Sequence, residues 1–449
     1  MARAALNRDP ILDSISARRR PSSVRTDWQT PHTGNGLVTA SSARRGFVVP
    51  ALFALVLGIL LILSTMTDMG DEAYWIGRNC LLVALIMPQV MALLQPATTV
   101  RTWRHLVVPL LCFVILFALY LPRGDESNDN WVPLIQIVLL AGFFASTATW
   151  TWTRGSLIVF LWIAQLFVLG SLVGWILLEF PVPFFGYYVN PNANGAVFAY
   201  LFGLSMLGVR PRKSLESVVW LCGWLGLTLL AIGTTVARAS LLAMFAGMAV
   251  YVVWPALCRR RLIFMVAFWV PLTTIGAVTA LEAIVIERAH EHGFGALSND
   301  LTGKNLTTRS RVWEPILAAI VERPIWGHGS DIDVTDVVNA DLSSHSMYLQ
   351  VTLQAGFSGL AVLVFLLNRI WTTFWLGRRD PTVRAAGAAM IGMLLHQGFV
   401  VSLTQNHVAV GTIVWLILGV GVARSIALDG NRPFKQAATP NRVRWRVAA

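Results

Sequence analysis

Apolar runs of about 17–25 residues, the length that crosses a bilayer as an α-helix, recur along nearly the whole of this chain. Twelve of them fall at 47–66, 79–94, 105–121, 131–150, 156–180, 193–209, 217–234, 239–257, 262–286, 346–375, 385–403 and 408–428. In lipid every backbone N–H and C=O needs a partner within the fold, so such runs fold as helices. The 449 residues are 55% hydrophobic and 13% charged, against about a quarter charged in a soluble domain. The expected fold class is therefore an all-α polytopic membrane protein with about 12 transmembrane helices. The run at 346–375 is longer than the hydrocarbon needs and is expected to start outside it. Residues 1–45 are rich in Arg, Ser, Thr and Pro and poor in large apolar residues. They cannot form a core and are expected to be a disordered basic tail. The transmembrane domain spans 46–428, and a second basic tail follows at 429–449.

The formal net charge is +12, and where the arginines fall says why. VRTWR (100–104), TWTRG (151–155), RPRK (210–213), RRR (259–261) and LGRRDPTVR (376–384) join alternate spans. The intervening connections TDMGDEAYW (67–75), PRGDESNDN (122–130), PVPFFGYYVNPN (181–192) and TQNH (404–407) are acidic or nearly neutral. Basic residues collect on cytoplasmic loops, so both tails and the basic connections are expected in the cytoplasm. The charge then marks topology, and no nucleic-acid partner is expected. Residues 287–345 become one large outer loop. Inside it, RVWEPILAAIVERPIWG places Val312, Ile316, Ala319 and Ile320 on one helical face for about three turns. Pro324 and the Gly327/Gly329 pair are expected to end that helix, and DIDVTDVVNA allows a second short one. Cys80, Cys112, Cys222 and Cys258 lie in or beside apolar runs without metal-ligand spacing, and buried packing is expected of them.

Candidate chemistry gathers on the outer side. His345, in LSSHSMYLQVTLQAGFSGL, lies at the lip of the tenth run. A neutral imidazole there could take a proton from a hydroxyl nucleophile; it could equally cap or hydrogen-bond the helix start, and Ser343, Ser344 and Ser346 would suit a cap as well. Arg309 and Arg311 precede the loop helix in TTRSRVW, and Arg238 stands in the short turn TTVARASLL. Outer arginines lie outside the positive-inside bias; they could grip a diphosphate bidentately or simply reach water. Asn192 and Asn194 in NPNANG could meet sugar hydroxyls or cap a helix. His328, between Gly327 and Gly329, reads as structural or solvent-facing. Gln405, Asn406 and His407 suit a polar hairpin tip, Arg78 could meet lipid headgroups, and His396 is an ionisable group inside an apolar run. No HExxH, Walker A loop, GxSxG elbow or paired-Cys site occurs. Asp331, Asp333 and Asp336 read as loop and helix start. Metal-free chemistry is expected, with arginine supplying positive charge.

The stretch TTRSRVWEPILAAIVERPIWGHGS, followed by LSSHSMYLQVTLQAGFSGLAVL, resembles the signature region of the O-antigen ligase and polymerase superfamily. The matching positions are Arg309 with Trp313, Pro324, Gly327 and Gly329, then His345 with Ser346, Tyr348 and Leu349, and finally Gly356, Gly359 and Leu360. TTVARASLL resembles the family's other arginine segment, and NPNANG its asparagine turn; the tail at 1–45 is outside the resemblance. The resemblance implies a GT-C-type membrane glycosyltransferase of the bacterial inner membrane, working at the periplasmic face. It implies an undecaprenyl-diphosphate-linked glycan as donor, with no cofactor and no metal. Arg238, Arg309 and Arg311 would hold the diphosphate, and His345 would be the base. Asn192, Asn194, His328 and Tyr348 are candidate contacts to glycan or acceptor. The acceptor would be lipid A–core in a ligase or a second lipid-linked glycan in a polymerase. The layout leans to the ligase, and Ser346, where many members carry Asn, leaves the choice open.

Two other classes fit the spans. A lipid-linked oligosaccharide transporter would need polar residues along a path to the cytoplasm, whereas here they collect at one face. A purely structural membrane protein would leave the outer arginines and His345 without a role.

Overall fold

The computed structural model describes residues 40–68, 71–93, 100–122, 131–186, 188, 190–209, 215–291, 304–330, 332, 334–338, 344–404 and 407–430. Among these, every regular element is helical. The helices are α1 (Ala40–Ser64, running into the 3-10 turn Thr65–Asp68), α2 (Asp71–Leu93), α3 (Val100–Leu119), α4 (Val132–Thr149), α5 (Arg154–Leu177), α6 (Pro191–Met206) and α7 (Leu215–Thr235). They continue with α8 (Arg238–Leu257), α9 (Arg261–Glu291), α10 (Lys304–Glu322), α11 (Val334–Val338), α12 (Met347–Phe374), α13 (Pro381–His396) and α14 (Val408–Gly430). Most of the expected tails lie outside the described residues, as do Asp331, Asp333, Gln405 and Asn406.

Local chemistry sets several of the starts. The Thr153 hydroxyl accepts the Ser156 N–H at 3.2 Å and caps α5. Asn190 caps α6 through the Asn192 N–H at 2.9 Å, and Pro191 follows at the first helical position, where its missing N–H has no cost. Asp380 and Pro381 repeat the device on α13, with the carboxylate accepting from Thr382 and Val383.

Each of the twelve expected runs contains a helix, and ten of the helices are long and apolar enough to cross a bilayer. The remaining two, α6 and α13, have 16 residues each. That length rises about 24 Å, against about 30 Å of hydrocarbon. The run expected to continue to residue 403 leaves the helix after His396 because Gln397 substitutes for the helical ladder. Its side-chain oxygen accepts the Ser402 and Leu403 N–H groups at 3.2 and 3.3 Å. Residues 401–404 are buried, and irregular backbone at membrane depth is stable only with such protein partners.

The centre of the bundle is α14, 94% of whose span is buried. It is apolar on every side, as a helix surrounded by other helices must be, and it packs on α3, α4, α6, α12 and α13. Trp415 of α14 packs against Phe113 at a tilt and edge-on to Phe144, and it donates its Nε1–H to the Leu403 carbonyl at 2.9 Å. At the other end Trp371 lies flat on Phe264, 4.4 Å between ring centres, and donates to the Phe264 carbonyl at 2.8 Å. Helices α8 and α13 approach closely because small residues face each other: a Cβ on Gly392 would sit 2.5 Å from the Ala243 oxygen. Small residues allow this kind of contact where water supplies no driving force between helices. Leucine, valine and tryptophan side chains on α2, α5, α7 and α9 are exposed and form the surface that lipid covers.

Outside this bundle, α10 is longer than the expected three turns, with 19 residues. Val312, Ile316 and Ile320 are buried on one face as their spacing requires, and they pack with Trp313, Val334 of α11 and Leu353 of α12. Each such side chain contributes about 1.5–3 kcal/mol. Pro324 follows the end of α10, and Gly327 and Gly329 both take positive φ in the turn beyond it. This turn docks into a break in α12. Gly356 has φ 67 and ψ −174, so the helix stops and restarts there. The turn takes up the freed groups: His328 and Gly329 N–H donate to the Leu353 and Gln354 carbonyls at 3.0 and 2.8 Å, while Phe357 and Ser358 N–H donate to Pro324 and Ile325 at 2.8 and 3.2 Å. The long tenth run is thus two helices in series, and the first joins the outer loop through Leu353 to the bundle through Met347, Val351 and Ala355.

Candidate functional site

The loop clamp fixes the segment that carries His345. The Trp313 indole donates to the Ser344 carbonyl at 2.8 Å, tying α10 to the residue before the histidine. Ser346 begins α12 without a side-chain cap; its N–H is instead held by the Ser344 hydroxyl at 3.4 Å. The Met347 N–H donates to the Gln397 carbonyl at 2.9 Å and the Tyr348 hydroxyl to the Leu394 carbonyl at 2.7 Å. The histidine is thereby gripped from both sides, by α10 before it and by the end of α13 after it. His345 itself is half-buried and has φ 52. A non-glycine residue in that region stores about 1–3 kcal/mol and persists where its surroundings over-determine it. Trp313→Phe keeps an aromatic ring but removes the N–H donor to Ser344 and the second ring of a buried indole. It is expected to cost about 2–4 kcal/mol from the lost hydrogen bond and the space left behind, measured as lower thermal stability, together with a larger fractional loss of activity.

A buried polar network lies directly beneath. The His396 Nδ1 is 2.8 Å from the Tyr200 hydroxyl of α6, and its Nε2 is 3.2 Å from the Ser240 hydroxyl of α8. A neutral imidazole, with one donor and one acceptor nitrogen, matches two hydroxyl partners. The Gln397 amide donates to Tyr200 at 3.2 Å and to the Ser402 hydroxyl at 2.7 Å. Tyr200, His396, Gln397, Ser240 and Ser402 are all buried. These partners join α6, α8, α13 and the chain before α14. The adjacent polar pair His396–Gln397 inside an apolar run was the one visible signal; Tyr200 and Ser240 stand in apolar helices, and their pairing across 196 and 156 residues has no local signature.

The network leads to Arg238. That residue opens α8 two positions before Ser240 and is exposed. Val236, in the two-residue turn before it, has φ 59. For a β-branched residue this is a genuine outlier, so a second strained position flanks the same region. Gly195 of α6 packs against this turn: a Cβ there would collide with the Ala237 side chain and lie 2.9 Å from the Thr235 hydroxyl. Arg309 and Arg311 lie on the α10 backbone, with Arg309 one turn before Trp313; their side chains are outside the described residues.

The remaining candidates are spread around this end. Asn192 is exposed. Asn194 is buried, and its amide lies 3.4 Å from the Phe184 carbonyl, which in turn belongs to a segment bonded to the end of α7 through Phe184 N–H to Thr234 O at 2.7 Å. Neither asparagine caps α6; Asn190 does. The His328 Nε2 is 2.8 Å from the Ala319 carbonyl, so this ring braces the turn against α10. Arg78 lies over the Trp75 ring at 5.2 Å, on α2. The structure therefore brings together the first turn of α12 with His345 and Tyr348, the start of α8 with Arg238, and the ends of α6 and α13.

Residues 223–364 match the family model described as O-antigen ligase. That interval runs from α7 to just past the break in α12, and so contains Arg238, Arg309, Trp313, the docked turn and His345. No curated protein matches the chain.

Proposed function

We propose that the chain is a membrane glycosyltransferase of the O-antigen ligase type, a reading supported by the match of residues 223–364, and that it transfers a glycan from an undecaprenyl-diphosphate carrier to a sugar hydroxyl. The observation that carries this reading is the continuous set of contacts from Ser344 and Met347 through Gln397, Tyr200 and His396 to Ser240, two residues from Arg238. It ties a histidine-bearing turn and a cationic helix start to one end of the bundle.

In this reading the acceptor hydroxyl attacks the anomeric carbon of the donor sugar. The acceptor O–H proton passes to the imidazole of His345 as the new C–O bond forms. The bond from the anomeric carbon to the diphosphate oxygen breaks, and its electron pair leaves on the diphosphate. Arg238, Arg309 and Arg311 hold that anion; guanidinium N–H groups aimed at charge that grows during bond breaking lower the barrier more than they tighten binding. In this reading the basic connections and both termini face the cytoplasm, as the positive-inside bias supports, this end of the bundle faces the periplasm, and the membrane is the bacterial inner membrane that the family resemblance implies. The acceptor we favour is lipid A–core, making the reaction O-antigen ligation.

The test is reconstitution of the purified chain with carrier-linked glycan and lipid A–core. Ligation predicts glycan on lipid A–core and release of the carrier diphosphate, undiminished by excess chelator. Elongated carrier-linked glycan with bare lipid A–core would instead identify a repeat-unit polymerase. Failure of both products would remove the transferase reading. Arg309→Lys keeps the charge and loses the fork; it is expected to lower the rate at least ten-fold, and an unchanged rate would remove Arg309 from diphosphate binding.

A further inference from the structure

The opposite ends of α8, α13 and α14 carry a second, separate feature. A concavity of about 920 Å³ opens there beside the turn between α12 and α13, and Arg259, Arg378, Arg379, Arg384 and Arg424 line it. Among the described residues Asp380 is the one carboxylate in the lining, and both of its oxygens are engaged. One caps α13, and the other is 3.0 Å from the Arg424 Nε. Five arginines against one aspartate leave four net positive charges around one hollow.

Two of the guanidinium groups are held in place. Arg378 lies over the Trp375 ring at 4.1 Å and donates from Nη1 to the Trp375 carbonyl at 3.1 Å. Arg384 lies over the Tyr251 ring at 4.0 Å and donates from Nε to the Tyr251 carbonyl at 2.6 Å. The Trp254 indole donates to the Arg378 carbonyl at 2.8 Å, so the backbone beneath is fixed as well. A guanidinium carries five N–H donors, and among the described residues Arg378 and Arg384 each spend one. The positive-inside bias accounts for the sign of this face. It does not account for side chains ordered on ring faces around a hollow with its only acid already paired. Fixed, like-charged and donor-rich groups of this kind suit a phosphate-bearing anion.

The surroundings point to the source of that anion. Trp254 and Pro255 form an apolar wall of the hollow. Immediately before them on α8, Val252 and Val253 are 65% and 46% exposed, on a helix apolar enough to cross the bilayer. Pro255 of the lining lies one helical turn beyond Val252, next to the exposed apolar surface at the end of a helix long enough to cross the bilayer. We propose that this concavity binds the phosphodiester headgroup of an anionic phospholipid, with the acyl chains along Val252 and Val253 of α8. Basic pockets between transmembrane helices on the cytoplasmic side are a recognised setting for such headgroups. The inference does not depend on the transfer reaction at the other end.

The test uses the full chain in mixed micelles of phosphatidylglycerol, cardiolipin and phosphatidylcholine, with retained lipid read by native mass spectrometry. The wild-type chain should retain the anionic lipids over phosphatidylcholine. Arg378→Gln with Arg384→Gln should reduce that retention about five-fold for each arginine removed. Those two side chains also brace the helix ends, so Arg259→Gln with Arg379→Gln, on the exposed rim, provides a pair with no such structural role. Equal retention of anionic and zwitterionic lipid would overturn the proposal, as would enrichment that neither pair of substitutions reduces. Inorganic pyrophosphate is the soluble probe. Binding of pyrophosphate that the substitutions weaken, with no enrichment of anionic lipid, would overturn the lipid source and assign the hollow to a free phosphate compound.

Discussion

Replacing His345 with asparagine is expected to lower the rate of glycan transfer about 10²–10⁴-fold, the usual contribution of a positioned general base. Asparagine is the informative choice because of the backbone. His345 has φ 52, a region that asparagine tolerates and alanine does not. His345→Ala would mix loss of the base with loosening of the turn between Trp313 and Met347. His345→Asn should leave thermal stability and the apparent affinity for the carrier-linked donor near their wild-type values, while the rate at saturating donor collapses. A rate within a few-fold of wild type would show that the proton goes elsewhere, and His396, braced by Tyr200 and Ser240, would be the next residue to test.

The largest effect on folding is expected from Gly356→Ala. The φ and ψ of Gly356 lie in a region open almost only to glycine, and a side chain there costs about 1–3 kcal/mol before any contact is counted. The added Cβ would also overlap the Ile325 carbonyl carbon and oxygen. To relieve that overlap the docked turn must withdraw, exposing the four backbone hydrogen bonds that join 324–329 to 353–358, each worth about 0.5–1.5 kcal/mol. A total of roughly 3–9 kcal/mol follows, large against the margin of a typical fold. Thermal unfolding in detergent should show it, with Gly276→Ala as the control. A Cβ at Gly276 meets nothing within 4 Å, so that change should be neutral or slightly stabilising. Equal stability of the two variants would mean that the docked turn contributes nothing to the fold.

Run length and helical spacing made much of this fold readable. Each expected span contains a helix, ten of them long enough to cross a bilayer, and Val312, Ile316 and Ile320 point inward as their spacing requires. Pro324, Gly327 and Gly329 marked the end of the loop helix because their backbone preferences are local. His345 was visible as a polar residue at the lip of an apolar run. What stayed hidden depends on partners far away in the chain. QAGFSG around Gly356 reads as continuing helix, since an isolated glycine in a helical pattern is tolerated; only the turn docked against it makes the break stable. The helix end at His396 is equally opaque. LLHQGFVVSL is apolar enough to continue, and the reason it stops is that Gln397 reaches the amides of Ser402 and Leu403.

The short helices α6 and α13 have a consequence for where a reaction at this end of the bundle takes place. Both fall about 6 Å short of the hydrocarbon thickness, and the buried chain at 401–404 fills the shortfall at the His396 end. In the proposed orientation, with α6 and α13 level with their neighbours at the cytoplasmic face, the polar floor formed by Tyr200, His396 and Gln397 would lie below the plane of the surrounding headgroups. An amphiphile whose reactive bond sits at the base of its headgroup can meet such a floor with its hydrocarbon tail still in the lipid. For the proposed carrier-linked donor, the work of drawing an isoprenoid chain out of the membrane, about 0.8 kcal/mol for every buried methylene, would not arise.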